Sequence, residues 1–140
     1  MKYRFALLIV LACICSVLAE AKVKLPSVLS DGMVLQRERP IKIWGTADPG
    51  ENVVVTFKKK KYTAVADENG KWLVTLPAMK AGGPYELTVN EMTVKDILIG
   101  DVWLCSGQSN MEMPLGGWGK ITNYQKEIAE AGHSNIRLLQ

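Results

Sequence analysis

The sequence predicts a mixed fold: an N-terminal antiparallel β-sandwich followed by the start of an α/β domain, incomplete over these 140 residues. Three observations carry this. From about residue 23 to 97, apolar and polar residues alternate in short runs separated by turn chemistry. From Ile97 to Cys105 the chain is nearly continuous in apolar residues apart from Gly100 and Asp101, as in a strand buried on both faces. After that run, Ile121, Tyr124, Ile128 and Ala131 recur at helical spacing, and Asn135–Leu139 resumes a strand-like pattern. Strand, loop, helix, strand is the grammar of a βαβ unit.

The first residues are of another kind. Lys2 and Arg4 precede an apolar run from Phe5 to Ala19, and Ala19-Glu20-Ala21 supplies small residues around a cleavage point. This reads as an export signal over 1–21, since the run is too short for a comfortable bilayer span. The organisation expected is therefore a signal at 1–21, a β-sandwich at 22–97 and the start of a catalytic domain at 98–140. Export implies a periplasmic or extracellular protein with no transmembrane span once the signal is removed. Val10-Leu11-Ala12-Cys13 loosely matches a lipoprotein box, so lipid anchoring at Cys13 stands as the lesser alternative. Cys13 and Cys15 leave with the signal, and Cys105 is then expected as a small buried apolar side chain.

Composition is that of a folded chain: 140 residues, 48% hydrophobic. The net charge of +3 comes from 17 basic and 14 acidic residues and points to no polyanion partner. The run Lys58–Lys61 lies between two β-branched stretches, where it reads as a solvated strand end and hairpin. No nucleic-acid partner is expected.

In chain order, Ile41–Trp44 alternates as a strand and Ala47-Asp48-Pro49-Gly50 makes a turn. Glu51–Phe57 and Tyr62–Ala66 are strands around the lysines. Asp67-Glu68-Asn69-Gly70 is a hairpin signal, because Asn-Gly accepts positive φ. Trp72, Val74 and Leu76 fall on one face of the next strand and Lys71, Leu73 and Thr75 on the other, and Pro77 ends it. Gly82-Gly83-Pro84 marks a connection, and Tyr85, Leu87 and Val89 alternate again. A buried strand is expected over Leu98–Cys105, with Trp103 as core alongside Trp72. Gly132 is a helix stop.

The chemistry gathers at Gly100–Leu115, GDVWLCSGQSNMEMPL, where the apolar run gives way to small and polar residues around Ser109. A strand that ends in a tight corner holds a hydroxyl rigidly, and Gly107 lets the backbone bend there. The backbone N–H of Ser109 is placed to help stabilise an oxyanion. The block does not fit G-x-S-x-G, because Met111 stands at the second glycine. Taken alone, a serine in a small-residue turn is more often simply a turn.

The block Asp101–Leu115 resembles the nucleophile block of the sialate O-acetylesterase family, serine esterases of the SGNH-hydrolase type. Leu25–Gln36 is similar to the family's opening segment, with Gly32 where members often carry His. Trp44-Gly45, Pro49-Gly50-Glu51, Gly70-Lys71-Trp72, Lys80–Tyr85 and Asn135–Leu138 resemble further landmarks, so the likeness runs from Val23 to Gln140. It implies a flavodoxin-like three-layer α/β catalytic domain beginning in the second part of the chain. It also implies hydrolysis of acetyl esters of O-acetylated sialic acid, or another acetylated glycan, through a serine acyl-enzyme. Ser109 carries over as nucleophile and oxyanion donor. Gln108 and Asn110 beside it, and Trp118 in the loop Gly116-Gly117-Trp118-Gly119, are candidate substrate contacts. No metal or organic cofactor is implied.

The family's catalytic histidine and its acidic partner belong to a motif that these 140 residues do not contain. The single histidine, His133, matches nothing in that motif and is assigned no catalytic role. Asp101 and Glu112 flank the corner, but carboxylates without a positioned imidazole make no triad. The 140 residues are accordingly expected to be inactive alone. Two other functions compete: a non-catalytic carbohydrate-binding β-sandwich, and an acetylesterase acting on acetylated plant polysaccharide.

Overall fold

The computed structural model describes residues 23–118 and 121–139. The expected export signal, its cleavage point and Cys13 lie outside the described residues.

Alternation lays down the strands β1 (Val34–Gln36), β2 (Ile41–Thr46), β3 (Asn52–Phe57), β4 (Lys60–Val65), β5 (Lys71–Leu76), β6 (Gly82–Val89) and β7 (Met92–Gly100). Five of them form one sheet in the order β1-β7-β6-β3-β4, and β2 and β5 pair separately. Val53, Val55 and Phe57 of β3 point inward, as do Leu87 and Val89 of β6. They meet Ile41 and Ile43 of β2 and Trp72, Val74 and Leu76 of β5 in one buried cluster. Each such aliphatic or aromatic side chain contributes on the order of 1.5–3 kcal/mol on burial, so the strand layers are held together through their shared core.

The pairing departs from the wholly antiparallel arrangement that alternation predicts. β1 runs parallel to β7, with Val34, Leu35 and Gln36 opposite Leu98, Ile99 and Gly100. A parallel neighbour requires a long crossover, and here β2 to β6 intervene, a separation that short-range alternation does not reveal.

Turn chemistry is found where expected, with one change of role. Asp67 Oδ1 accepts from the N–H groups of Asn69 and Lys71 at 2.9 and 2.8 Å, and Gly70 takes φ +71°. This turn is not a hairpin: β4 pairs with β3 and β5 with β2. The chain reverses at Asn69-Gly70, but the buried face of β5 carries that strand into the other sheet. The tight hairpins lie elsewhere. Lys58 and Lys59 adopt φ of 48° and 65° between the paired residues Phe57 and Lys60. Asn90-Glu91 joins Val89 to its partner Met92. Gly82-Gly83-Pro84 falls inside β6 rather than in a connection, at an irregularity in its pairing with β7.

A second irregularity lies opposite. Leu87 pairs with Val94 but Tyr85 pairs with Ile97, so two steps on β6 face three on β7. The extra residue bends β7 at Lys95–Asp96, where Asp96 takes φ +57°. The bulge keeps Val94, Ile97 and Ile99 all buried despite the broken alternation.

β7 ends at Gly100. The expected buried strand over Leu98–Cys105 is therefore overturned beyond that residue: Trp103 is 84% exposed, Leu104 95%, and Cys105 is a free, exposed thiol. The physical reason is that β1 stops at Gln36 and no described strand pairs with 101–105. An apolar run is buried only where something covers it. The helix forms as α1 (Tyr124–Glu130) and stops ahead of Gly132. The strand expected at Asn135–Leu139 is absent among the described residues, and Ile136, Leu138 and Leu139 are exposed. No described helix is long and apolar enough to cross a membrane.

Candidate active site

Ser109 opens a single turn of 3₁₀ helix, Ser109–Met111, directly beyond the extended segment that leaves β7. The turn is closed by the Met111 N–H on the Gln108 carbonyl at 2.9 Å and the Glu112 N–H on the Ser109 carbonyl at 3.1 Å. As the first residue of the turn, Ser109 has no acceptor for its own N–H within it, as an oxyanion donor requires. Met111 folds back over Gly107, where an added Cβ would lie 2.9 Å from Met111 Cγ. Glycine at that corner gives the close approach without a clash.

Gln108, Ser109 and Asn110 are all exposed on this turn, and no hydrogen bond engages the Ser109 hydroxyl among the described residues. Trp118 is 70% exposed. Its loop is closed where the Ile121 N–H donates to the Leu115 carbonyl at 3.2 Å. Tyr124 and Ile128 of α1 lie against Gly116, with Tyr124 carbons 3.1 Å from where its Cβ would be. The helix therefore supports the base of the loop that carries Trp118.

The flanking carboxylates take separate places. Asp101 is bound to Arg37, Nε donating to Oδ1 at 2.9 Å. That hydrogen bond, with a smaller contribution from the guanidinium charge, holds the Asp101 carboxyl below the usual carboxylate range. The pair leaves Asp101 acting as an anchor rather than a base. Glu112 closes the serine turn through its backbone and is exposed. His133 sits in the turn after α1, its N–H on the Ala131 carbonyl at 2.8 Å and its carbonyl accepting from Ile136 at 3.0 Å. No cluster of three His, Cys, Asp or Glu side chains suited to a metal occurs among the described residues.

Sequence reading missed the residues that hold this segment to the sheet. Gln36 Oε1 accepts from the Val102 N–H at 2.9 Å, and the Arg37 N–H donates to the Gly100 carbonyl at 2.8 Å. At the far end, Arg137 Nη1 donates to the Gly32 carbonyl at 2.8 Å and to the Asp96 carbonyl, while Nη2 reaches Asp96 Oδ1 at 2.9 Å. These contacts join residues far apart in sequence, and no local motif announces them.

No family profile matches the chain. Among curated proteins it is similar to the sialate O-acetylesterase of Mus musculus, 38% identical over 128 residues that cover 80% of this chain and 23% of that protein. It is equally similar to the sialate O-acetylesterase of Homo sapiens, 38% identical over 129 residues, covering 81% of this chain and 24% of that protein. Among solved structures it resembles a carbohydrate acetylesterase from Xanthomonas citri, with a TM-score of 0.71 and 40% identity over 80% of this chain and 26% of the other. The chain thus spans about a quarter of the length of the relatives it matches.

Proposed function

From the homology of this chain to the sialate O-acetylesterases, we propose that it carries the nucleophile-bearing portion of an esterase that deacetylates carbohydrates. O-acetylated sialic acid is the first substrate to try. The observation that carries the reading is Ser109 itself: an exposed hydroxyl without a hydrogen-bond partner among the described residues, opening a turn at the end of an anchored strand.

In this reading Ser109 Oγ attacks the acetyl carbonyl carbon and gives up its proton to a base. The tetrahedral oxyanion is held by the Ser109 N–H and by further donors. The C–O bond to the sugar breaks, the sugar oxygen takes the proton, and an acetyl-serine remains. Water, deprotonated by the same base, then releases acetate and restores the serine. No described residue is positioned as that base. The relatives are about four times as long as the stretch they share with this chain, and in this reading the base belongs to the part of such an enzyme outside that stretch. Gln108 and Asn110, next to Ser109 in sequence, and the exposed Trp118 are the candidate contacts for the sugar. The protein is exported on the signal at 1–21 and meets acetylated glycans outside the cytoplasm.

The test is acetate release from O-acetylated sialic acid and from acetylated xylan. It uses the 140-residue piece, the full-length protein and full-length Ser109→Ala. Turnover by the full-length protein with none by the piece supports the reading, and preference for xylan moves the substrate to plant polysaccharide. Robust turnover by the piece contradicts it.

A further inference from the structure

We propose that Arg37, acting through Asp101, is a positioning residue for the Ser109 nucleophile. This rests on the serine-esterase reading above and adds to it how the serine is held in place.

The described residues beyond Gly100 contribute nothing to the buried core, whose last member is Ile99. Among the described residues, apolar packing therefore does not fix the exit of the chain at Asp101. Directional polar bonds do, and at the exit from β7 they come from two consecutive residues, Gln36 and Arg37. The backbone ladder between β1 and β7 ends with Gln36 opposite Gly100. From that point the contacts continue by other means. The Arg37 N–H takes the Gly100 carbonyl at 2.8 Å, Arg37 Nε takes Asp101 Oδ1 at 2.9 Å, and Gln36 Oε1 takes the Val102 N–H at 2.9 Å. Gln36 Nε2 in turn donates to the Arg37 carbonyl at 3.2 Å, which steadies the pair. Three successive residues, Gly100, Asp101 and Val102, are thus fixed in direction just before the loop that delivers Ser109.

Arg37 is the centre of this clamp because it binds both backbone and side chain of the departing strand. Asp101 has no second cation among the described residues. The pair also lies at the surface, with the Arg37 and Asp101 side chains 40% and 52% exposed. Exposed ion pairs add little to folding stability. Losing this one changes where the serine sits more than whether the protein folds. A displacement of the reacting group by about 1 Å can cost roughly a hundredfold in rate.

The experiment uses the full-length protein as wild type, Arg37→Ala, Arg37→Lys, the swap Arg37→Asp with Asp101→Arg, and Ser109→Ala as reference. It measures kcat and KM for acetate release, the second-order rate of labelling by a fluorophosphonate, and the melting temperature. We expect Arg37→Ala to lower kcat and labelling rate together by roughly ten- to a hundredfold, with less change in KM and an unchanged melting temperature. Arg37→Lys should fall between, and the swap should recover part of the loss. Wild-type kcat and labelling in Arg37→Ala overturns the proposal, as does a loss matched by a fall in melting temperature. If Ser109→Ala keeps both activity and labelling, the nucleophile reading itself is wrong and this proposal goes with it. If Ser109→Ala is inactive and Arg37→Ala is not, only the positioning role fails.

Discussion

Arg137 reaches back 41 positions to Asp96, its Nη2 donating to Oδ1 at 2.9 Å. The bulge in β7 explains why that site is open. The extra residue leaves the Asp96 carbonyl outside the ladder, and Arg137 Nη1 takes it together with the carbonyl of Gly32. With Lys95 bonded to Asp31 Oδ1 and to the Gly32 N–H, the bulge has its polar groups satisfied. The parallel pair β1–β7 is thereby contacted at both ends by the chain beyond Gly100, through Arg137 at its start and through Asp101 and Val102 at its finish.

Replacing Arg137 with Ala is expected to release the residues around 132–139 without unfolding the strand layers. Hydrogen exchange should speed up at Ile136–Leu139 and near Gly32, while amides of β3 and β6 stay protected. The loss in global stability should be small, about 1 kcal/mol or less for a partly exposed pair. Loss of protection across β3 and β6 would show that Arg137 supports the core itself.

Truncating the centre of the shared core should have the opposite character. Leu76 is fully buried, so Leu76→Ala is expected to cost about 2–5 kcal/mol. Urea unfolding checks this, and a cost near zero would mean that the two sheets do not depend on one another.

At the hairpin between β3 and β4, Lys59 is held at φ +65°, where a side-chain-bearing residue costs roughly 1–2 kcal/mol against a right-handed one. Lys59→Gly should therefore stabilise the protein by a fraction of that, about 0.5–1 kcal/mol, because glycine carries no Cβ penalty there. Lys58 is the poorer choice, since its ammonium lies 4.8 Å from the centre of the Tyr85 ring. A lowered melting temperature in Lys59→Gly would contradict this account of the turn.

The Arg37–Asp101 clamp has a defined pH sign. Its hydrogen bond lowers the Asp101 carboxyl from its usual value and raises the Arg37 guanidinium. A group with a depressed folded-state value contributes above the usual carboxylate range, and the contribution fades as pH falls through the lowered value. Carboxyl carbon chemical shifts should show Asp101 titrating below the usual aspartate range. In Arg37→Gln the titration should move upward, and an unmoved curve would remove the guanidinium as its cause.

Much of the strand layer was legible in the sequence because each strand advertises its buried face. Val53, Val55 and Phe57, and Trp72, Val74 and Leu76, alternate cleanly and lie where alternation puts them. The parallel partnership of β1 and β7 was not legible, since Val34–Gln36 is too short to show a period and its partner lies beyond β6. The apolar run misled beyond Gly100 because burial depends on a covering surface, and Trp103 and Leu104 have none among the described residues. The turn at Ser109 was readable from its small and polar residues, while its candidate role came from the family resemblance alone. Gln36, Arg37 and Arg137 make contacts distant in sequence that no local pattern announces.

The most direct test of the central claim is to treat the full-length protein with a fluorophosphonate and locate the adduct by peptide mass spectrometry. The account predicts one stoichiometric adduct on Ser109, abolished in Ser109→Ala along with acetate release. An adduct on Ser106 or on a serine outside the turn, or undiminished acetate release by Ser109→Ala, would contradict it.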